Sequence, residues 1–204
     1  GRPYVDPVKY AWFSDPRFRK AVYHGINREA IIRTELRGLA VPATGKESVA
    51  NKFWYNPNVP KYKYDRKKAA ELLDEMGLTL KPGQQWRTDA QGNPVSFTLI
   101  TNKGNNVREK VAGLIAQDLR GLNIEVKPQY LDFNALLTLT DSTYEYEAVL
   151  LGLTGGGFEP ASGMNAWLSS GRTNLYNPRQ ETPFTEWQAE IDRLAKEMVA
   201  SVDL

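Results

Sequence analysis

Residues 146–171 read YEAVLLGLTGGGFEPASGMNAWLSSG, and how they are read decides the fold class. From Ala148 to Leu153 the stretch is an almost unbroken apolar run of strand length, the pattern of a strand covered on both faces. It ends on Thr154 and a run of glycines, Gly155, Gly156 and Gly157. Phe158, Glu159 and Pro160 close the loop, and a short segment with Met164, Trp167 and Leu168 follows. A glycine run costs backbone entropy and is retained where the main chain must approach something closely. In an open α/β sheet, ligands bind beyond the carboxyl ends of the strands. The glycine loop, with Phe158 and Trp167 behind it, is therefore the first candidate binding surface. A tight turn whose two aromatics belong to the core is the plain alternative.

The chain around this stretch has 204 residues, enough for one medium domain or two small ones with a sizeable core. Its net charge of +2 gives no footprint for nucleic acid, and the one basic run, Arg66-Lys67-Lys68, falls in the first turns of an expected helix, a solvated face. Without cysteine, disulfides, thiol catalysis and cysteine metal sites are excluded, while the compartment stays open. No apolar stretch is long enough to span a bilayer.

Residues 1–14 are expected to be an irregular lead-in broken by Pro3 and Pro7. Asp15 before Pro16 starts a helix carrying Phe18, Val22 and Ile26, and Asn27 caps a second helix, Arg28 to Arg37, stopped by Gly38. Residues 39–64 show no period and cluster Phe53, Trp54 and Tyr55, a connection of unusual length. Asp65 caps a helix through Met76. Trp86 to Thr101 reads as a hairpin turning at 89–93, and it runs into the polar loop 101–106, which contains Asn102 and Asn105. A helix over 107–120, a strand from Ile124 to Tyr130, a helix over 133–139 capped by Asp132, and the 148–153 run as central strand complete the pattern. After the glycine loop comes a polar stretch with Asn174, Tyr176 and Asn177. A last helix from Thr182-Pro183 follows, with Trp187, Ile191, Leu194 and Met198 facing inward. Strand–helix–strand–helix–strand order indicates an α/β domain with a mixed, partly parallel sheet flanked by helices.

Catalytic signatures are sparse. His24 is the only histidine, so a metal site would have to be all oxygen, and no carboxylates have calcium-loop spacing. The glycine loop lacks the Gly-Lys-Ser/Thr of a phosphate loop, the GxGxxG of a dinucleotide site and the serine of a nucleophile elbow. The reading is therefore not an enzyme, with no cofactor and no metal.

Four segments, in order, resemble one family. They are FSDPRFRKAV (13–22) with GINREAII (25–32); YDRKKAAELLDEMGL (64–78); NKGNNVREKVA (102–112) with IAQDL (115–119); and LNIEV (122–126). Together they resemble the peptide/nickel class of ABC-transporter solute-binding proteins, extracellular family 5. The resemblance implies a type II periplasmic-binding-protein-like fold, in which two lobes close around a peptide-like or other small polar solute. Residues 1–204 would be the carboxyl-side lobe of a longer protein, a monomer outside the cytoplasm (periplasmic or anchored at the cell surface) that delivers solute to ABC permease transmembrane subunits. In peptide-binding members an aspartate in the loop after the central strand pairs with the peptide's amino terminus. Aligned on Glu159-Pro160, that position is Gly156, and the usual tryptophan near the strand end is Leu153. This implies a ligand held through main-chain hydrogen bonds, with Glu159 either the substitute acid or a helix cap. The expected ligand-binding residues are Thr154, Gly155, Gly156, Gly157, Phe158, Trp167, Asn102, Asn105 and Tyr176. A glycan-processing enzyme using paired carboxylates, for which Glu145 and Glu147 on one strand face are the only hint, is the alternative from another class. A non-catalytic protein-interaction module is the third.

Overall fold

The first helix begins where irregular chain is expected. Pro7 does not break the chain but opens α1 (Pro7–Ser14), because Asp6 caps it by accepting from Val8 N at 2.8 Å. This is the same Asp-Pro signal that starts α2 (Pro16–Gly25), where Asp15 accepts from Arg17 N at 2.7 Å. The computed structural model describes residues 4–45, 47–152, 160–175 and 177–200. Residues 1–204, read above as one lobe, fall into two compact units: Gly1–Thr44 with Pro60–Leu151, and Gly45–Val59 with Gly152–Leu204.

In the first unit α3 (Arg28–Glu35) and α4 (Arg66–Glu75) are capped by Asn27 and Asp65, as expected, and between them the described residues form turns but no helix or strand. His24 turns its Nδ1 to the Lys63 carbonyl at 2.7 Å and its ring edge to Tyr62, a packing role. The turn at 89–93 forms, with Asp89 N donating to Asn93 O at 3.1 Å, but its first arm reduces to single bridges, Thr79–Thr88 and Thr88–Pro94. The return segment pairs back on that arm only as far as Val95, whose N–H donates to Arg87 O at 2.8 Å. It becomes β1 (Ser96–Asn102), which pairs in parallel with β2 (Glu125–Leu131), Thr101 opposite Tyr130, and with β3 (Ala148–Val149). α5 (Asn106–Arg120) and α6 (Phe133–Thr138) complete the crossovers, α6 running into a π-helical turn, Leu139–Thr143.

The order β2-β1-β3 corrects one expectation. The 148–153 run is not the central strand: β1 is, and β3 is a half-buried two-residue strand at the edge of the described sheet. Pro128, which has no N–H to donate, sits on β2, which has one neighbour. The core lies where α2, α4 and α5 meet the sheet, built on Phe18, Leu73, Val95, Phe97, Leu119 and Ile124. Phe13 stands edge-on to Phe97 at 5.5 Å.

The second unit holds a 3-10 helix, Pro160–Ala166, and α7 (Glu186–Ala200). α7 starts later than Thr182-Pro183, because Thr185 caps it: Gln188 N donates to Thr185 Oγ1 at 3.3 Å. Its inward face is also rotated from the expected one. Gln188 and Ala195 are buried and the expected Ile191 and Met198 are half-buried, whereas Trp187 and Leu194 are 54% and 50% exposed. The reason is polar. Asp192 accepts from Ser169 N at 2.8 Å and from Ser169 Oγ at 2.5 Å, and Gln188 Oε1 accepts from Phe184 N at 3.1 Å, so this polar side faces its own loop. Fully buried Asn174 donates from Nδ2 to Leu168 O at 3.1 Å.

Candidate functional site at the carboxyl edge of the sheet

Three parallel strands with helical crossovers bring their carboxyl ends to one edge, and the end of β1 there is polar although it is buried. Thr101 is fully buried, and its hydroxyl donates to Leu150 O at 2.8 Å, tying the ends of β1 and β3. Lys103 N donates to Leu131 O at 2.6 Å and extends the pairing with β2 by one bond. The chain then turns through Gly104, whose φ of +84° is left-handed and favours glycine.

Asn105 caps α5, its Oδ1 accepting from Arg108 N at 3.0 Å. Glu109 reaches back to accept from Gly104 N at 2.7 Å. These reciprocal bonds fix the first turn of α5 and so the direction of Arg108. Arg108 is a half-buried residue whose guanidinium donates through Nη1 to Asn102 Oδ1 at 2.7 Å, while Asn102 is only 9% exposed. A guanidinium carries five N–H donors in a rigid fork, and one bond to Asn102 orients it while leaving most of the fork for something else. Tyr130, at the end of β2, donates its hydroxyl to Glu109 O at 3.4 Å and is 42% exposed. Val107, on the same helical turn as Arg108, is 45% exposed.

Of the expected ligand residues, Asn102 and Asn105 come together on this edge, Asn102 holding Arg108 and Asn105 spending its oxygen on the cap. Trp167 belongs to the second unit, just after its 3-10 helix, where its N–H donates to Met164 O at 2.8 Å and the residue is 41% exposed. Thr154, Gly155, Gly156, Gly157, Phe158 and Tyr176, with Leu153 and Glu159, lie outside the described residues. Sequence reasoning missed Arg108 and Tyr130 as site residues. For Arg108 a signal was present: an arginine three residues after an asparagine N-cap, at a strand's carboxyl end. Tyr130 had none, because its place depends on the β1–β2 register.

The carboxylates near this sheet are structural. Glu147 accepts from Thr98 N at 2.7 Å and pairs with Lys9 at 2.5 Å, bracing β1 rather than facing a partner acid. Ser96 donates to Glu125 at 2.7 Å, and this bond first, then Lys127, holds the Glu125 carboxyl below the usual glutamate range. Among the described residues no three of His, Cys, Asp and Glu gather as metal ligands, and no helix is long and apolar enough to cross a membrane.

A profile of the family described as bacterial extracellular solute-binding proteins, family 5 middle, matches residues 6–174. A probable ABC transporter-binding protein of Deinococcus radiodurans is 34% identical over 157 residues, 74% of this chain and 26% of its own length. The oligopeptide-binding protein AppA of Bacillus subtilis is 34% identical over 144 residues, 69% of this chain and 26% of its own. The structure of that AppA in complex with a nonapeptide superposes with a TM-score of 0.77 at 28% identity, covering 95% of this chain and 37% of the other. The binding protein MelB of Agrobacterium fabrum, in complex with stachyose, reaches a TM-score of 0.81 at 18% identity over 96% of this chain and 30% of its own, a likeness of fold alone. The chain spans about a quarter of the length of the curated relatives it matches, 26% in both cases.

Proposed function

The chain belongs to the bacterial extracellular solute-binding proteins of family 5, and from that premise we propose that it captures a peptide-like solute for an ABC importer. Residues 1–204 serve as part of one lobe of a two-lobed clamp. The protein is a monomer, works outside the cytoplasm either in the periplasm or anchored at the cell surface, and hands its solute to the permease. It is not an enzyme. The carboxyl edge of the sheet is the solute face on this lobe, with Asn102, Asn105 and Arg108 on it. Thr154, Gly155, Gly156, Gly157, Phe158, Trp167 and Tyr176 remain the proposed contacts from the second unit.

The observation that carries the reading is Arg108. The guanidinium of a half-buried arginine, aimed by an asparagine and left with open donors at the carboxyl end of a parallel sheet, suits the planar, two-oxygen acceptor of a carboxylate. A peptide presents one at its end, and a neutral oligosaccharide does not. The AppA relative, whose structure holds a nonapeptide, points the same way.

Calorimetric titration of the full-length protein tests this with nonapeptides carrying free or amidated carboxyl ends, and with stachyose. The free-ended peptide should bind, and Arg108→Gln should weaken it about tenfold or more, while the amidated peptide, already weaker, loses little from the same change. Equal loss for both ends would remove the carboxylate from Arg108. Binding of stachyose without binding of peptide would overturn the peptide class.

A further inference from the structure

We infer that residues 61–68, with Lys20 beside them, form a basic surface that docks the protein on anionic lipid headgroups of the membrane that holds its permease. The surface stands on the charges described here, and only its use in delivery rests on the peptide-importer reading above. Residues 61–71 read KYKYDRKKAAE, five cations and two acids, a net +3 where the whole chain carries +2. Along the stretch each cation lies within about 10 Å of the next, on the order of a Debye length, so the charges act together. Packing holds the segment in place. Arg28 Nη2 donates to Tyr62 O at 3.0 Å, His24 Nδ1 meets Lys63 O at 2.7 Å, and Asp65 N donates to His24 O at 2.9 Å. The Tyr62 ring stands edge-on to Tyr23 and His24, and exposed Lys20 brings its Nζ within 5.9 Å of that ring's centre. Lys61 and every residue from Lys63 to Lys68 are exposed.

The acids of this region do not cancel the surface. Asp65 accepts from Lys68 N at 2.9 Å as the cap of α4, Glu71 pairs with Lys68 at 3.5 Å, and Asp74, farther along α4, pairs with Arg87. Lys61, Lys63 and Lys67 have no acidic partner among the described residues. Nor does a neighbouring helix bring net negative charge: α2 holds three cations and no acid, α3 two of each, and α5 three cations and two acids. The first turn of α4, the positive end of its dipole, is filled by Arg66, Lys67 and Lys68 and has no acid beyond the cap. That placement works against the helix, so helix formation does not account for it. The lysines favour lipid over protein as the partner. Lysine is depleted from protein interfaces, whereas an array of lysines attracts anionic headgroups across water. Tyr64, 40% exposed among these lysines, has the amphipathic ring that sits at a membrane–water boundary.

The test sediments the full-length protein with vesicles of phosphatidylcholine alone, or with about a third phosphatidylglycerol, at about 0.1 M salt. The parent should bind the anionic vesicles about tenfold or more tightly than the neutral ones, and lose that preference near 1 M salt, where screening sets in within ~3 Å. Lys61→Gln, Lys63→Gln and Lys67→Gln should each weaken anionic binding about fivefold, and the three together should bring it near the neutral level. The triple change Lys52→Gln, Lys81→Gln and Lys196→Gln removes the same charge from exposed lysines elsewhere and should keep most of the binding. A parent without preference for anionic vesicles overturns the inference. So does equal loss in the two triple variants, because the attraction would then belong to the net charge. Retention of the parent on poly-glutamate without binding to vesicles assigns the surface to an acidic protein and overturns it as well. Titration of the same samples with nonapeptide separates the two readings. Peptide binding without vesicle binding sinks this inference alone, and vesicle binding without peptide binding sinks only the peptide-importer reading.

Discussion

Arg87 is 7% exposed, and removing it should reveal what a buried guanidinium does in this fold. Its Nε donates to Leu122 O at 3.0 Å and its Nη1 to Leu78 O at 2.7 Å, joining the turn after α4 to the turn before β2. Nη1 also meets Asp74 at 2.5 Å, but the Asp74 side chain is 56% exposed. Water can therefore replace the guanidinium at the carboxylate, which limits that pair to about 1 kcal/mol. The carbonyls differ: neither Leu78 O nor Leu122 O has another donor among the described residues. Arg87→Met keeps much of the volume and orphans both. At about 1–3 kcal/mol for each unsatisfied acceptor, and with methionine losing about as much rotamer entropy as arginine, the expected cost is about 2–6 kcal/mol. Asp74→Asn should cost about 1 kcal/mol or less. Urea denaturation followed by tryptophan fluorescence measures both, compared as midpoints at unchanged slope. If Arg87→Met unfolds within about 1 kcal/mol of the parent, or Asp74→Asn costs as much as Arg87→Met, the ion pair and not the carbonyls carries the effect and this reasoning fails.

Two further perturbations follow from packing and burial. Gly25→Ala would place a methyl 2.5 Å from Leu122 Cδ1 and 3.1 Å from Leu119 Cδ2, two side chains buried in the core, so it should cost about 1–3 kcal/mol in the same urea assay. Burial, then the neighbouring Tyr144 phenol and Asp141 carboxylate, pushes the Tyr146 phenol above its usual range. A raised folded value means its contribution is fully present below the unfolded value near pH 10 and is lost as pH rises through the folded one. Denaturation between pH 8 and about 11 should therefore show a steeper alkaline loss in the parent than in Tyr146→Phe, and identical profiles would refute the assignment.

The helix starts were the most legible part of the fold because a cap is a local device. Asp15, Asn27, Asp65 and Asp132 each accept from a backbone N–H of the turn they precede. The Asp6-Pro7 pair carries the same signal, and only the reading of Pro3 and Pro7 as breakers hides α1. Strand pairing is not local. The turn at 89–93 is plain in Asp89, Gly92 and Asn93, yet it does not say that the returning strand will abandon its hairpin arm for two parallel partners. The face of α7 failed for a related reason. Apolar spacing selects Trp187, Ile191, Leu194 and Met198, of which Ile191 and Met198 are half-buried, while the helix also turns inward the residues its own loop needs, Gln188 and Asp192.

The misplacement of the central strand bears on the site itself. Continuous apolar character singled out 148–153, whereas β1, reading SFTLITN, ends in two polar residues and resembles a strand leaving the core. Those two are nevertheless buried, Thr101 completely and Asn102 to 9% exposure. Burial of polar groups costs unless each finds a partner, and here each does, Thr101 on the Leu150 carbonyl and Asn102 on Arg108. Those partners lie just past β3 and in α5, so no window of sequence along β1 can contain them. A strand that carries hydrogen-bonding side chains to a sheet's ligand-binding edge must break the apolar pattern by which buried strands are found. The rule therefore fails at the end of β1, and that polar end is itself what marks the candidate site.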